Sequence, residues 1–336
     1  MTSNVPAVLV TEALWTTDGA RLSEVMAESA RALVLKPDQA PQAQELADVR
    51  AAFLSTDLIG PRNKQAPHAG LAQFGAVVER CTGLQWMHVC SAGTDRPLLQ
   101  TAMRRGVTVT SSTGANAEAV AQCAIAGMLA LHLGVAHWVR SQDARRWAPH
   151  APEAAPRDLT GQHAVVIGLG AIGSRVARLC QALGLHVTGL RRQRQLHPAC
   201  AAVGTLADLR EAAASADWLF LCCPLSSATR SLVDADLLSR LPSHARLVNV
   251  SRGEVVVEAD LFAALQRGAL GGVYADVFEQ EPLPEDSPWW TLPNTVLSSH
   301  VAGLTQGLPA RTRDLFLANL ERWLAGRELL NVGRPL

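Results

Sequence analysis

The sequence carries no net charge, since 30 lysine and arginine residues balance 30 aspartate and glutamate residues in a chain of 336. Without excess positive charge, there is no field that would draw the protein to nucleic acid or to an anionic membrane surface. We therefore expect no nucleic-acid partner, no membrane partner, and a small molecule as the ligand. Apolar residues make up 48% and charged residues 18% of the chain, a composition unlike that of a disordered protein.

Cysteines spaced for a disulfide framework or a metal site are also missing. The seven cysteines are odd in number, and no two of them stand in CxxC spacing. This pattern is typical of reduced thiols in the cytosol. We expect a cytoplasmic protein without a bound metal.

A targeting segment and a membrane span are the next features that the sequence lacks. Residues 1–10 have neither the basic start nor the long apolar stretch of a signal peptide. The longest apolar run, Ala119 to Val139, is interrupted by Gln122 and by the histidines His132 and His137. We expect a buried helix here rather than a membrane helix.

The chain length and the rhythm of apolar runs predict two α/β domains. A chain of 336 residues exceeds the usual size of one domain. Short apolar runs alternate with helix-like segments from Ala7 to Thr110, and the alternation returns from Ala164 to Ser298. Strands that are apolar on both faces favour a parallel sheet covered by helices. Pro309 to Ala325 has the pattern of an amphipathic closing helix.

A glycine motif points to a dinucleotide. The sequence Gly168-Leu169-Gly170-Ala171-Ile172-Gly173 follows a strand candidate and opens a predicted helix. In that context Gly168 makes the tight turn, Gly170 lets the backbone approach the pyrophosphate, and Gly173 allows close helix–strand packing. The helix N-terminus, with Ala171 and Ile172, attracts the anion. The alternative is a glycine-rich turn of purely structural use.

The cofactor preference is predicted from the end of the second strand. A site specific for NAD would place an acidic residue after Leu190, whereas this chain has Arg191 and Arg192. Guanidinium groups hold a 2′-phosphate by charge-assisted hydrogen bonds, so we expect NADP(H) to be preferred, with NAD(H) possible. The alternative is a solvated basic turn.

Further groups of residues occur in a characteristic order. They are Gln85-Trp86, Ser91 to Asp95, Gly114 to Ala117, Cys223-Pro224-Leu225, Val248 to Gly253, Ala275 to Pro284, Ser287 to Trp290 with Asn294, and Ser299 to Gly303. Together they resemble the D-isomer-specific 2-hydroxyacid dehydrogenase family, in particular its glyoxylate and hydroxypyruvate reductases. The resemblance covers roughly residues 80 to 305, and the earlier residues match in pattern alone.

The resemblance implies three catalytic residues. Arg252 would bind the substrate carboxylate and carbonyl, His300 would transfer the proton, and Glu281 would pair with His300. Reduction of a 2-oxo acid calls for these residue types, since it needs a proton donor, a cation for the carboxylate and an acid to hold the imidazole. Alternatives are a satisfied interdomain histidine, a helix-capping arginine and a loop acid before proline.

Binding residues follow from the same resemblance. Backbone amides of Ala92, Gly93 and Thr94 would bind the substrate carboxylate, and Trp290 would pack near the substrate. Asp276 would hold the nicotinamide carboxamide. The remaining residues expected at the cofactor are Cys223, Pro224 and Ser251. For Trp289 and Trp290 the alternative is hydrophobic cover at a loop or a dimer contact.

The chain departs from the family pattern in three places. Arg191 replaces a common acidic residue, which bears on the choice of cofactor. Ser299 stands where proline is frequent, so a rigid φ before His300 is lost. Gln122-Cys123 replaces a common Glu-His pair in a helix near the domain junction.

The resemblance implies two doubly wound parallel-sheet domains, with a Rossmann cofactor domain inserted in a flavodoxin-like substrate domain. We expect residues 1–110 and 300–336 in the substrate domain and 111–299 in the NAD(P)-binding domain, with substrate between them. A homodimer built on the helix from Ala117 to Arg140 is also implied.

The implied function is NAD(P)H-dependent reduction of a small 2-oxo acid, such as glyoxylate or hydroxypyruvate, to the D-2-hydroxy acid. Two alternatives stay open, which are oxidation of phosphite on the same scaffold and a non-catalytic, nicotinamide-sensing regulatory protein. Formate oxidation is disfavoured, because formate dehydrogenases of this fold pair the histidine with glutamine and this chain has Glu281.

Overall fold

The computed structural model describes residues 5–37, 39–59, 69–151 and 155–335. The chain divides into two compact units, Met1–Asn116 with Thr305–Leu336, and Ala117–Leu304. Residues 111–116 are predicted in the NAD(P)-binding domain but lie in the first unit. Residues 300–304 are predicted in the substrate domain but lie in the second unit. Ser112 stays in the first unit because its N–H donates to Val89 O, and the segment after His300 stays in the second because Asp276 accepts the N–H of Ala302.

The first unit is built on a five-stranded parallel sheet. Its strands are β1 (Ala7–Thr11), β2 (Arg31–Leu35), β3 (Val49–Leu54), β4 (Trp86–Val89) and β5 (Thr108–Ser111). Its helices are α1 (Glu12–Met26), α2 (Ala43–Ala47), α3 (Ala69–Arg80), α4 (Pro97–Arg104) and α11 (Leu308–Leu324). The strand order β2-β1-β3-β4-β5 is the flavodoxin-like order.

Capping and aromatic packing fix the elements of this unit. Thr11 Oγ1 accepts the N–H of Leu14 at 3.3 Å and so caps α1, and Pro97 stands in the first turn of α4. Phe316 of α11 stacks on Phe53 with ring centroids 4.3 Å apart, and the α11 face packs on the sheet. The predicted closing helix is therefore present.

The second unit contains a seven-stranded parallel sheet. Its strands are β6 (His163–Ile167), β7 (His186–Leu190), β8 (Ala202–Gly204), β9 (Trp218–Leu221), β10 (Arg246–Asn249), β11 (Gly272–Ala275) and β12 (Thr295–Leu297). Its helices are α5 (Ala117–Leu133), α6 (Val135–Asp143), α7 (Gly173–Ala182), α8 (Leu209–Ala213), α9 (Ala235–Arg240) and α10 (Glu258–Gln266).

The strand order β12-β11-β10-β9-β6-β7-β8 places β6 next to β9. From β6 the chain first builds one side of the sheet and then crosses over to build the other side. The point of reversal, between β6 and β9, is where ligands bind in doubly wound folds, outside the carboxyl ends of the strands. The two parallel-sheet units confirm the predicted fold class.

The apolar run from Ala119 to Val139 differs from the prediction of one buried helix. Gly134 has φ of +71° and breaks it into α5 and α6, which meet at an angle of 68°. Eight of the 17 residues of α5 are buried, whereas none of the residues of α6 is. Among the described residues, no single helix is long and apolar enough to cross a bilayer, although this bent pair passes on length and composition.

Candidate active site

The residues predicted for catalysis and cofactor binding gather at one edge of the seven-stranded sheet. Each lies in the segment that follows the carboxyl end of a strand, and the parallel strands all end at this edge. Gly168 follows β6, Arg191 follows β7, Cys223 follows β9, Arg252 follows β10, Asp276 follows β11 and His300 follows β12.

The glycine turn fits a dinucleotide. Gly168 has φ of +95°, and a Cβ there would lie 2.8 Å from the Cys223 backbone. A Cβ on Gly173 would run into Gly168 O, whereas Gly170 faces open space. The turn is thus packed where glycine is needed for folding and open where a pyrophosphate would approach. Gly173 begins α7, so the positive end of the helix dipole lies at this turn, where an anion is favoured.

The basic turn after β7 carries positive charge without a nearby acidic partner. Among the described residues, neither Arg191 nor Arg192 has a side-chain hydrogen bond, and Arg192 is exposed. The Arg191 N–H donates to Gly204 O, which fixes the turn. Burial and the positive charges of Arg191 and Arg178 lower the pKa of His197. The neighbouring Arg194 instead pairs with Asp208 at 2.6 Å.

His300 and Glu281 form a close pair. His300 Nδ1 lies 2.7 Å from Glu281 Oε2, and the carboxylate is buried, with a side-chain exposure of 7%. Glu281 Oε1 accepts the N–H of Phe278 at 3.1 Å. His300 adopts φ of +55°, in the left-handed region that few residues other than glycine take. The carboxylate therefore fixes the ring through Nδ1 and directs Nε2 away from the pair.

Arg252 is held on a turn that packs against the segment before Glu281. Asn249 Nδ2 donates to Arg252 O at 3.1 Å, and Asn249 Oδ1 accepts Ser251 N–H and Ser251 Oγ–H at 3.1 and 2.9 Å. A Cβ on Gly253 would run into the backbone of Phe278. This close approach brings the Arg252 turn onto the segment that hydrogen-bonds Glu281, so the three predicted catalytic residues share one supporting structure.

Asp276 has a role that the sequence did not reveal. The carboxylate is 2% exposed, and it accepts Ser298 Oγ–H at 2.6 Å, the Val301 N–H at 2.8 Å and the Ala302 N–H at 3.1 Å. These donors flank His300 on both sides. Asp276 thus anchors the segment that carries the histidine, and its predicted contact with a nicotinamide carboxamide stays a prediction.

A chain of hydroxyl and thiol groups extends from Asp276. Tyr274 OH lies 2.7 Å from Ser298 Oγ, and Cys123 Sγ lies 2.9 Å from Tyr274 OH. Because an ionised carboxylate can only accept, Ser298 donates to Asp276, Tyr274 donates to Ser298 and Cys123 donates to Tyr274. Burial raises the pKa values of the Tyr274 phenol and the Cys123 thiol, which keeps both groups protonated.

The neighbouring tryptophans Trp289 and Trp290, of which Trp290 is predicted near the substrate, have different environments. Trp289 is 2% exposed and packs edge-on against Phe262 and Phe278, so it belongs to the core. Trp290 is 54% exposed, and its Nε1–H donates to Pro284 O at 2.7 Å. Hydrophobic cover therefore describes Trp289, whereas Trp290 presents its ring to solvent.

The loop Ala92–Thr94 lies in the first unit. Ser91 Oγ donates to Gly93 O at 2.8 Å, and Gln100 Nε2 donates to Thr94 O at 2.9 Å. The carbonyls are thus held by neighbouring side chains, whereas the N–H groups of residues 92–94 make no hydrogen bond with another described residue. Amides arranged in this way are available to an anion.

A family model described as the NAD binding domain of D-isomer specific 2-hydroxyacid dehydrogenase matches residues 125–302. The chain belongs to this family. It is 32% identical over 273 residues to glyoxylate/hydroxypyruvate reductase A of Arabidopsis thaliana, an alignment that covers 80% of this chain and 85% of the relative. The protein is therefore an oxidoreductase with an NAD(P)-binding Rossmann domain, which confirms the predicted family and enzyme class.

Solved structures extend the likeness to the whole chain. The family member from Aeromonas salmonicida superposes with a TM-score of 0.79 at 24% identity, over 99% of this chain and all of that one, which shows the shared fold. The NADPH-dependent glyoxylate/hydroxypyruvate reductase of Sinorhizobium meliloti, solved with NADP and malonate, gives 0.72 at 25% identity over 99% and 98% of the two chains.

Proposed function

We propose that this dehydrogenase reduces a small 2-oxo acid of the glyoxylate or hydroxypyruvate type to the D-2-hydroxy acid. The observation that carries the proposal is the 2.7 Å pair of His300 and Glu281, which follows strands of the same sheet edge as Arg252 and the dinucleotide turn. Relatives named as glyoxylate/hydroxypyruvate reductases support this substrate class. Phosphite oxidation and nicotinamide sensing are not favoured by these relatives.

Each side chain has a defined part in the proposed reaction. A bound reduced nicotinamide supplies the hydride. His300 donates a proton from Nε2 to the oxygen of the carbonyl that is being reduced, while Glu281 holds the ring and stabilises its charged form. Arg252 pairs with the substrate carboxylate and polarises the carbonyl.

The carboxylate also needs hydrogen-bond donors. We assign this role to the backbone N–H groups of Ala92, Gly93 and Thr94, whose carbonyls are already held by side chains of the first unit. The exposed ring of Trp290 is proposed to pack against the substrate. These contacts select short acids that carry a carboxylate next to the reacting carbon.

NADP(H) is the proposed preferred cofactor, with NAD(H) as the second. Arg191 and Arg192 stand where an acidic residue would select NAD, and among the described residues their side chains have no hydrogen bond. A 2′-phosphate would supply the counter-charge for this turn. Gly168, Gly170, Ala171, Ile172 and Gly173 would bind the pyrophosphate. Cys223, Pro224 and Ser251 would line the cofactor, and Asp276 would reach its carboxamide.

A panel of 2-oxo acids tests the proposed activity. Glyoxylate, hydroxypyruvate, pyruvate and 2-oxobutyrate are offered with NADPH and then with NADH, and oxidation of the nicotinamide is followed by absorbance. We expect the wild-type enzyme to reduce the shorter acids. The His300→Ala variant should lose this turnover but should still bind NADPH. Turnover of phosphite with NADP, or tight nicotinamide binding without turnover of any acid, would replace the proposal.

A homodimer in the cytoplasm is the proposed state of the enzyme. Three large apolar side chains are exposed on or just after α6, which are Trp138 at 48%, Val139 at 51% and Trp147 at 98%. A cluster of this kind is typical of an interaction surface, and light scattering of wild type and Trp147→Ser measures the mass. All seven cysteines are free, as expected in a reducing compartment.

A further inference from the structure

The sheet of the first unit contains a fully buried histidine that the proposed reaction does not use. His88 stands on β4, opposite Thr110 of β5, and is 0% exposed. Its ring lies among aromatic side chains, with its centroid 5.4 Å from that of Phe53 and 5.9 Å from that of Phe316. Burial lowers the pKa of His88 to about 3, so the ring is neutral near pH 7.

Hydrogen bonds on both sides of the ring determine which nitrogen carries the proton. Nε2 lies 3.1 Å from Ser112 Oγ, and Nδ1 lies 2.8 Å from Thr110 Oγ1. Ser112 Oγ donates its single hydrogen to Val89 O at 3.0 Å, so it can only accept from His88. Nε2 therefore carries the proton, and Nδ1 accepts the Thr110 hydroxyl. That hydroxyl oxygen in turn accepts Trp86 Nε1–H at 2.8 Å.

The other neutral form of the ring leaves hydrogen bonds unmade. With the proton on Nδ1, Thr110 Oγ1 would accept from both His88 and Trp86, and its own hydrogen would have no acceptor among the residues that the structure describes. Ser112 Oγ would also have to turn its hydrogen from Val89 O to Nε2. Because a buried donor without an acceptor is costly, the form with Nε2–H is favoured.

Ser112 connects this ring to the loop of residues 92–94. Its N–H donates to both Val89 O and Ser91 O at 3.0 Å, so it joins the end of β5 to the start of the loop. The next residue, Thr113, donates from Oγ1 to Ala92 O at 3.2 Å. Two consecutive residues after β5 thus hold two consecutive carbonyls at the base of the loop. A shift of Ser112 would move the peptide groups from which the loop begins.

We propose that His88 is a positioning residue for the substrate carboxylate, acting through Ser112 on the loop of residues 92–94. Its Nε2–H holds the Ser112 hydroxyl in the orientation that donates to Val89 O, and this keeps the Ser112 N–H on Val89 O and Ser91 O. This role depends on the proposed function, in which the loop amides bind the carboxylate. His88 is fully buried and acts only through its neighbours.

Steady-state kinetics of three variants test this role, with glyoxylate or hydroxypyruvate as substrate. His88→Phe keeps a ring among the aromatic side chains but removes both hydrogen bonds, and Ser112→Ala removes the hydroxyl with a smaller change of volume. Both should raise the KM for the acid about 3- to 10-fold and leave kcat and the KM for NADPH nearly unchanged, because the amides bind the carboxylate before and during hydride transfer. His88→Gln, whose amide offers a donor and an acceptor, should restore most of the affinity.

A purely structural role of His88 would give a different result. Partial unfolding lowers the amount of active enzyme, and hence the apparent kcat, without changing the KM for the acid. Thr312→Val removes another fully buried hydroxyl of the first unit, which donates to Pro309 O within α11, and should leave this KM unchanged. The proposal is overturned when His88→Phe and Ser112→Ala keep the wild-type KM, or when Thr312→Val raises it equally.

Oxalate binding separates the role of His88 from the proposed reaction. Oxalate carries carboxylates but no reducible ketone, and its binding to the enzyme with NADPH is followed by nicotinamide fluorescence. A wild type that binds oxalate but reduces no acid contradicts the proposed function alone, and His88→Phe should then still bind oxalate about 3- to 10-fold more weakly. Equal oxalate affinity of the two proteins overturns the role of His88. A wild type that neither binds oxalate nor reduces an acid overturns both.

The state of the ring is measured without substrate. Imidazole spectra of protein labelled with nitrogen-15 histidine distinguish Nε2–H from Nδ1–H, and the spectrum of His88→Gln identifies the His88 signals by their absence. We expect a neutral ring with Nε2–H at pH 7 and at pH 5. A ring that is charged at pH 5, or that carries its proton on Nδ1, contradicts the proposal.

Discussion

Ser298 Oγ donates a 2.6 Å hydrogen bond to Asp276 Oδ1, and the same oxygen accepts the Val301 N–H at 2.8 Å. Asp276 therefore holds the chain just before and just after His300. Since His300 has φ of +55° and is preceded by serine rather than a rigid proline, these bonds supply a constraint that the local sequence does not. The catalytic histidine depends on a carboxylate that belongs to the next strand of the sheet.

Ser298→Ala and Tyr274→Phe should therefore reduce kcat by about tenfold while leaving the KM for NADPH nearly unchanged. Ser298→Ala removes the hydrogen bonds to Asp276 and Tyr274, and Tyr274→Phe removes those to Ser298 and Cys123. Steady-state kinetics under saturating NADPH measure the effect. Ser239→Ala, which removes an exposed hydroxyl from α9, is the control. Equal loss of NADPH affinity in Tyr274→Phe would assign the chain of hydroxyls to the cofactor site instead.

The pair of His300 and Glu281 gives the largest expected effects on the chemistry. His300→Ala should lower kcat for 2-oxo acid reduction by about 10²–10⁴-fold, since it removes the proton donor. Glu281→Gln should lower kcat by about tenfold or more, because the amide no longer stabilises the charged ring at 2.7 Å. Single-turnover reduction with NADPH resolves the chemical step.

Glu285→Gln changes an exposed acid of the same loop and serves as the matched control. It should leave the chemical step unaltered. If Glu281→Gln reduces substrate at the wild-type rate, Glu281 does no more than cap the Phe278 N–H.

Arg252 should act on the substrate and not on the cofactor. Arg252→Ala is expected to reduce kcat/KM for the 2-oxo acid by about 10²-fold or more. Its affinity for NADPH, measured by fluorescence titration, should stay within about a factor of two of the wild-type value, which is about the experimental error. Arg252→Lys should restore little, because an ammonium cannot pair bidentately with a carboxylate. A parallel loss of NADPH binding would make Arg252 a structural cation of the turn that Asn249 holds.

We expect the basic turn at Arg191 and Arg192 to determine the preference for NADPH over NADH. Arg191→Asp is expected to lower kcat/KM with NADPH by about 10- to 100-fold and to raise it with NADH, since a carboxylate repels the 2′-phosphate and accepts from ribose hydroxyls. Arg267→Asp changes an exposed arginine at the end of α10 and should alter kcat/KM with neither NADPH nor NADH. Equal efficiency of wild type with NADH and NADPH would mean that the turn is merely solvated.

The parts of this site that depend on local sequence could be predicted, and the parts that depend on contacts across the fold could not. The glycine turn and the residues Arg252, Glu281 and His300 belong to short motifs, so their order along the chain is enough to name them as candidates. The chain from Cys123 through Tyr274 and Ser298 joins α5, β11 and the loop after β12, and no spacing connects these residues.

The same reasoning explains what differed in the fold. The apolar run from Ala119 to Val139 predicted one buried helix, because composition does not reveal that Gly134 takes φ of +71° and turns the chain by 68°. Trp289 and Trp290 are neighbours of the same type, yet one is core and the other is exposed. Only the packing of Phe262 and Phe278 around Trp289 distinguishes them.

The stability of the second unit should depend on pH through Asp217. Burial raises the pKa of this carboxyl, but the His163 N–H, Arg157 and His244 outweigh burial, so its pKa in the folded protein lies below its ordinary value. A carboxyl with a depressed pKa contributes stability at pH values above its unfolded pKa of about 3.9, and that contribution is lost as pH falls through the folded pKa.

Asp217→Asn keeps the shape but removes the charge. It should lower the free energy of unfolding at pH 7 by about 1–3 kcal/mol, since the partners of the carboxylate lose a charged acceptor.

Urea unfolding of wild type and Asp217→Asn, followed at pH values from 7 down to the acid limit of the fold, measures this dependence. The difference between the two proteins should be largest near neutral pH and should shrink once the wild-type carboxyl begins to protonate. Asp143→Asn, which neutralises an exposed acid at the end of α6, should show no comparable loss. A difference between wild type and Asp217→Asn that stays constant down to the lowest pH would mean that the shape of the side chain, and not its charge, holds the starts of β6 and β9 together.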